Sequence, residues 1–362
     1  MEVDLGFVEP CHPWQVQSKY FPSKVGSVPA WLNLKDLPHP SELQCGVCRS
    51  PCIFLCQIYA PVEDCETCFH RILFVFLCRN PSCCAPEHHG KNFVIFRNQL
   101  PRVNDFYAPK PPVEQEQDAD CPSASDHVPL CWICGCLGRN SCSSCKIAQY
   151  CSREHQRMDW KKKHKSECKD EAWKQDCKQN EKCHIGDKGG ILFPQYQLVI
   201  EAEEQAQNDV KVEKSEEELL KEFQSLSDTL GASRIDEKEL LAMACKGEED
   251  RVFQQFSETI KREPEQVIRY SRTSSPLWVS DKKRPSESDI PPCHCGAPRK
   301  FEFQILPQML IHLRVDERDS ESIDWGTIAF FTCSQDCHQD SCPPYHKEYA
   351  WLQQFTGYSK IN

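Results

Sequence analysis

Apolar residues fall in short, dense runs separated by proline, glycine and polar stretches, which is the spacing of strands rather than of long helices. Over residues 1–107 the runs Ile53–Tyr59, His70–Leu77 and Asn92–Arg97 predict strands. The run ILFPQYQLVI, residues 191–200, predicts one more. Strand character returns from Gln266, with candidates at Lys300–Ile305, Leu310–Val315 and Thr327–Thr332. Helical spacing is brief. It occurs near Glu216–Leu226, Asp236–Lys246 and Asp250–Lys261, and over Ser152–Ser166, where Ser152 suits an N-cap and Glu154 the first turn.

The connections are polar. Residues 108–130 include a proline-rich acidic linker, 169–190 read as a second linker, and 201–265 as an acidic linker with short helices. Within 201–222, nine acidic residues face three lysines, so that stretch is solvated. The expected architecture is mainly β with small zinc-stapled modules. Two β-rich halves, 1–107 and 266–362, pack as one body, because a lone two- or three-stranded unit has little core. A small α-containing module, 131–168, is inserted between them, and 191–200 returns to the β body.

Composition sharpens this picture. Only 39% of residues are hydrophobic, yet 26 of 362 are cysteine. The opening MEVDLGFVEP has neither a basic start nor an apolar stretch, and no apolar run approaches the roughly 18 residues of a membrane span. The expected setting is cytoplasmic and nuclear, with no membrane association. A reducing compartment disfavours disulfides, so clustered cysteines read as metal ligands whose binding energy supports a thin core.

The central cluster runs Cys131-x2-Cys134, Cys142-x2-Cys145, Cys151-x3-His155 and His164-x3-Cys168. Tetrahedral zinc takes four thiolate or imidazole ligands, and residues i and i+4 of a helix share a face. Four pairs therefore make two sites. Pairs one and three for one zinc and two and four for the other is the expected arrangement; spacing alone also allows sequential sites. With its tail YCSREHQRMDWKKKHKSEC the segment resembles a MYND finger, although His155 stands where that family usually has cysteine. Eight basic residues face three acidic ones here. Six thiolates on two zinc ions reduce that balance to about +3. A peptide-docking surface and a solvated helix face beside a folding staple both fit this charge. Trp160 is expected to anchor the small core.

Two flanking frames match each other. Cys45-x2-Cys48 precedes strands that end at Cys78-x4-Cys83, and Cys293-x-Cys295 precedes strands that end at Cys333-x3-Cys337. Pro51, Phe54, Gln57 and Ile58 stand at the same offsets from Cys48 as Pro298, Phe301, Gln304 and Ile305 from Cys295. ILFVFLC parallels TIAFFTC before the second ligand pair. This is a duplicated, zinc-ribbon-like unit. By this comparison Cys52 and Cys56 are strand residues and Cys65-x2-Cys68 is a loop pair; it does not rank Cys83 against Cys84, and Cys83 is taken as the ligand. Four zinc ions on fourteen cysteines and two histidines are expected.

Further stretches, LGFVEP, FPSKVGSVPAWL, VIFRNQLPR, LFPQYQLVIE, QVIRYSR, DIPPCHCGAPRKFEFQILPQML and SIDWGTIAFFTC, extend the likeness over the whole chain. The chain resembles the programmed cell death protein 2 family, with Cys52, Cys56, Cys65 and Cys68 as departures. The resemblance implies a dedicated chaperone for a newly made small-subunit ribosomal protein of the universal S-five family, supporting small-subunit biogenesis. It also implies links to cell proliferation and apoptosis. Charge is compatible: outside residues 131–168 the chain has 35 basic and 51 acidic residues, which favours a basic client. The alternative is a transcriptional corepressor adaptor that binds proline-rich peptides through the finger. No enzyme is expected, because G-x-G-x-x-G, P-loop, H-E-x-x-H and methyltransferase signatures are absent and four-ligand sites leave no open metal position. His88 and His89 read as polar-loop residues. DNA binding through Lys161–Lys165 is disfavoured by the short cluster and the net charge of −11.

Overall fold

In a computed structural model of the chain, the described residues are 2–62, 64–114, 121–179, 185, 190–204, 251–315, 322–338 and 343–355. The strands are β1 (Asp4–Glu9), β2 (Lys24–Val25), β3 (Ile53–Tyr59), β4 (His70–Leu77), β5 (Phe93–Leu100), β6 (Asn140–Ser141), β7 (Gln149–Tyr150), β8 (Tyr196–Ala202), β9 (Ile268–Tyr270), β10 (Arg299–Ile305), β11 (Thr327–Cys333), β12 (Tyr345–Lys347) and β13 (Tyr349–Gln353). The α-helices are α1 (Arg153–Asp159), α2 (Lys165–Glu167), α3 (Glu171–Gln179), α4 (Arg251–Arg262) and α5 (Met309–Leu313). None of the described helices is long and apolar enough to cross a membrane.

Three expectations change. Leu310–Val315 is not a strand: it forms α5, because Leu306, Met309 and Leu313 are buried at helical spacing while Ile311 is exposed. Of residues 191–200 only the part from Tyr196 enters a strand, because Pro194 cannot donate to a ladder. The linker 169–190 begins with α3, whose Cys177 is buried. The helix near 250–261 forms as α4, whereas those near 216–226 and 236–246 lie outside the described residues.

Eleven strands make one sheet in the order β12-β5-β4-β3-β2-β8-β1-β9-β10-β11-β13. β1, from the start of the chain, pairs with β9 of the C-terminal half, while β8 pairs with β2 of the N-terminal half. β1 and β8 pair antiparallel at the centre, so the halves exchange strands and share one sheet. The two ends of that sheet are consecutive in sequence. β12 joins β5, β13 joins β11, and Glu348 alone separates them, which nearly closes the sheet into a ring.

The duplication extends to register. β3 and β4 pair Phe54 with Phe76 and Gln57 with Phe74, with an irregularity at Leu55. β10 and β11 pair Phe301 with Phe331 and Gln304 with Ala329, with the irregularity at the corresponding Glu302. The equivalent glutamines do the same work. Gln57 accepts from Ala30 N and donates to Ala30 O, and Gln304 accepts from Leu277 N and donates to Leu277 O.

The finger is not a free appendage. Trp31 Nε1 donates to Gly135 O at 2.9 Å, and the finger's Cys131, Ile133 and Tyr150 share one buried core with Leu32 and Phe76. Gly135 has φ +68°, and a Cβ there would lie 2.7 Å from Val28 Cβ, so both conformation and space require glycine.

Candidate metal centres

The first ligand pair of each group is set by a tight turn. The amide of the residue after the second cysteine returns to the carbonyl of the first: Arg49 to Cys45, Gly135 to Cys131, Lys146 to Cys142 and Gly296 to Cys293, at 2.8–3.0 Å. All four residues have positive φ, which turns both thiols to one side. In the finger, Ser152 caps α1 by accepting from His155 N at 3.2 Å, and the π-helical turn Trp160–His164 carries the chain to Cys168. Tyr150 OH donates to the buried Asp159 carboxylate at 2.7 Å and holds α1 against the β6–β7 hairpin.

Four groups result: Cys45, Cys48, Cys78 and Cys83; Cys131, Cys134, Cys151 and His155; Cys142, Cys145, His164 and Cys168; and Cys293, Cys295, Cys333 and Cys337. Within each, the ligand atoms all lie within 4.8 Å of one another. The finger is therefore interleaved. Cys48 and Cys78 sulfurs are 3.5 Å apart, Cys134 and Cys151 3.7 Å, Cys142 and Cys168 3.8 Å, and Cys295 and Cys333 3.6 Å. Tetrahedral zinc with Zn–S near 2.3 Å holds sulfurs about 3.8 Å apart, so the donor sets fit zinc in spacing and in chemistry. His155 presents Nδ1 to Cys151 at 3.1 Å and His164 presents Nε2 to Cys145 at 3.6 Å.

One thiol in each group is poised to ionise. Burial opposes charge on Cys48, but bonds from Ser50, Cys78 and Cys83 outweigh it and bring the thiol to about 7. Cys131 and Cys142 are likewise held down against burial by hydrogen bonds, and Cys295 is held down first by the Ala297 amide. The other ligand thiols with a resolved shift are pushed up, as Cys83 is to about 12, and so are three buried cysteines outside the groups. Burial pushes Cys52 and Cys56 upward and Cys84 up to about 12, so they stay protonated. Cys84 accepts from Asn92 Nδ2 at 3.2 Å, while Cys83 joins the metal group. Cys65 and Cys68 are joined as a disulfide, contrary to the expectation of reduced thiols; their Cα atoms are 5.3 Å apart, within bridging range.

Trp160 departs from its expected core position. It is 37% exposed, with its ring centroid 5.9 Å from that of His164 in a T-shaped contact, whereas Trp132 and Trp173 pack inward. Lys161, Lys162 and Lys163 beside it are exposed.

Buried charges outside the predicted site residues join the halves. Arg71 of β4 makes two bonds to Glu302 of β10, at 2.5 and 2.8 Å, and also meets Asp336 at 3.0 Å. Glu348 accepts from Arg97 and from Arg299, both at 2.8 Å. The signal was present: HRILFVFL, FVIFRNQL and RKFEFQI each carry a charge inside an apolar strand, which requires a partner.

Sequence profiles of the N- and C-terminal domains of programmed cell death protein 2 match residues 2–114 and 250–354, and that of the MYND finger matches 131–168. Programmed cell death protein 2 of Mus musculus is 43% identical over 98% of this chain and 97% of its own length. That of Bos taurus is 41% identical over 98% and 96%. The chain belongs to the programmed cell death protein 2 family. A more distant relative from Schizosaccharomyces pombe, named "Probable 20S rRNA accumulation protein 4", is 25% identical over 90% of this chain and 89% of its own length. No solved structure matches the chain.

Proposed function

We propose that the chain is a zinc-loaded chaperone, not an enzyme, for a newly made basic small-subunit ribosomal protein of the universal S-five family. It keeps the client soluble for small-subunit biogenesis in cytoplasm and nucleus, a role through which this family bears on proliferation and apoptosis. The observation that carries the reading is the near full-length similarity to a relative named for 20S rRNA accumulation. Two features support it. The four metal groups have four ligands each, which suits scaffolding rather than catalysis. The chain outside the finger has an acidic excess of 16 charges, which suits capture of a basic client.

The test is binding kinetics with that ribosomal protein across a salt series. Association is expected to slow as the Debye length falls from about 8 Å to about 3 Å at 1 M, with dissociation changing less. Deleting the finger would strip Trp31 and Val28 of their cover, so Trp160→Ala is the better probe. Client binding unaffected by Trp160→Ala assigns capture to the β body. Loss of client binding in the folded variant moves the site to the finger, and absence of binding at every salt concentration refutes the reading. The second reading, a corepressor adaptor for proline-rich peptides, is favoured by the exposed Trp160 beside exposed lysines. In that case a proline-rich peptide binds and Trp160→Ala abolishes its binding.

A further inference from the structure

The two flanking frames hold ligands at the ends of strands, and each is supported by a side chain from the opposite half. Register equates β5 with β13: Phe76 pairs with Val94 where the equivalent Phe331 pairs with Tyr349. Counting on from those partners makes Asn98 equivalent to Gln353 and Gln99 to Gln354. Asn98 and Gln353 each accept from an amide of their own half, Asn33 N and Val279 N respectively, and Asn98 Nδ2 also donates across to Pro344 O at 2.8 Å. The next pair reaches across. Gln99 Nε2, in the N-terminal half, donates to Asp336 O at 3.2 Å, between the ligands Cys333 and Cys337. Gln354 Nε2, in the C-terminal half, donates to Cys84 O at 2.8 Å, one residue beyond the ligand Cys83.

The C-terminal frame receives additional support from the N-terminal half. Arg97 places Nη1 3.2 Å from Cys337 O and Nη2 3.4 Å from Cys337 Sγ, a cation against a ligand sulfur. Arg71 meets the Asp336 carboxylate at 3.0 Å. A metal on four thiolates carries net negative charge, which a buried guanidinium beside one sulfur stabilises, and groups that orient ligands commonly affect metal retention about 10–100-fold.

We propose that the two four-cysteine frames retain zinc as a coupled pair, with Gln99 and Arg97 as positioning residues for the C-terminal frame and Gln354 as the positioning residue for the N-terminal frame. Emptying either frame loosens the segment that the opposite half braces, and the coupling is reciprocal. The bracing contacts are unequal in number. The C-terminal frame draws two positioning side chains and the Arg71 contact from the N-terminal half, while the N-terminal frame draws one from the C-terminal half.

Zinc-loaded full-length protein is challenged with a chelator, pulsed with an alkylating reagent and mapped by peptide mass spectrometry, so that each cysteine reports release from its own site. In the unmodified chain, Cys45, Cys48, Cys78 and Cys83 are expected to become reactive together with Cys293, Cys295, Cys333 and Cys337, while the finger cysteines stay protected. Gln99→Met should speed release from the C-terminal frame about 10-fold, and Gln354→Met should speed it from the N-terminal frame by a smaller factor. Release of the two frames with independent rates in the unmodified chain overturns the proposal. So does a variant that loosens only the frame of its own half. If a variant fails to fold, losing finger protection at once, the comparison in the unmodified chain decides alone.

Discussion

Arg97 and Glu348 form an ion pair that water does not reach: Nε to Oε1 is 2.8 Å, and both side chains are fully buried. Glu348 is the single residue between β12 and β13, so this pair sits where the last strands bridge the two ends of the sheet. Its second oxygen accepts from Arg299, and its amide donates to Ile95 O at 3.0 Å. Arg97→Met leaves a buried carboxylate with one of its two cations. Stability is expected to fall by about 3 kcal/mol or more in urea denaturation. A loss below about 1 kcal/mol would mean that ring closure does not depend on the pair.

Metal content is expected to be four zinc ions per chain by elemental analysis of purified protein; two or fewer would remove at least one flanking frame. Ligands must lose protons to bind, so retention should weaken as pH falls. Cys48→Ser and Cys295→Ser should each unfold a flanking half. Cys56→Ala, at a buried strand position outside the metal groups, should cost on the order of 1 kcal/mol and leave metal content unchanged.

Gln57→Leu and Gln304→Leu should each destabilise, by on the order of 2–4 kcal/mol, because each leaves the amide and carbonyl of its clamped segment, buried at Ala30 and part-buried at Leu277, without that partner. Thermal denaturation of the two variants measures this. Markedly unequal losses would show that the duplicated geometry is not matched in energy.

Acid should destabilise the protein in two stages. Burial, with Arg102 nearby, holds His70 neutral down to about 4, so the unfolded chain takes up its proton first and stability falls as pH drops from about 6.5 to about 4. Burial alone would push the Glu302 carboxyl up, but Arg71 holds it down at about 2. Its contribution is complete above about 4.5 and lost as pH falls toward 2. Burial likewise brings His346 down to about 4, so His70→Phe should reduce the first stage without abolishing it in a denaturation series from pH 7 to 4. An unchanged slope would assign that stage to other groups.

The metal centres were legible because their chemistry is local. A cysteine pair closes its own turn within a few residues, and His164 and Cys168 share a helix face wherever the helix lies, so spacing marks the candidate ligand pairs, while the interleaved grouping of the finger is decided by the tertiary structure. The apolar runs likewise marked β3, β4, β10 and β11 to within a residue, because a short continuous apolar run, buried here on both faces, is a property of the segment itself. Matching offsets around Cys48 and Cys295 revealed the duplication, since equivalent turns need equivalent residues. Other features depended on tertiary structure. β1 and β8 trade places between the halves, and α5 replaces an expected strand because Met309 and Leu313 meet a core laid down by distant segments. Arg71 finds Glu302 across 231 residues, and Arg97 finds Glu348 across 251. A charge inside an apolar strand announces that a partner is needed, but local periodicity carries no record of which one. That choice is made when the ring closes, because only then does each buried charge have an opposite one within reach.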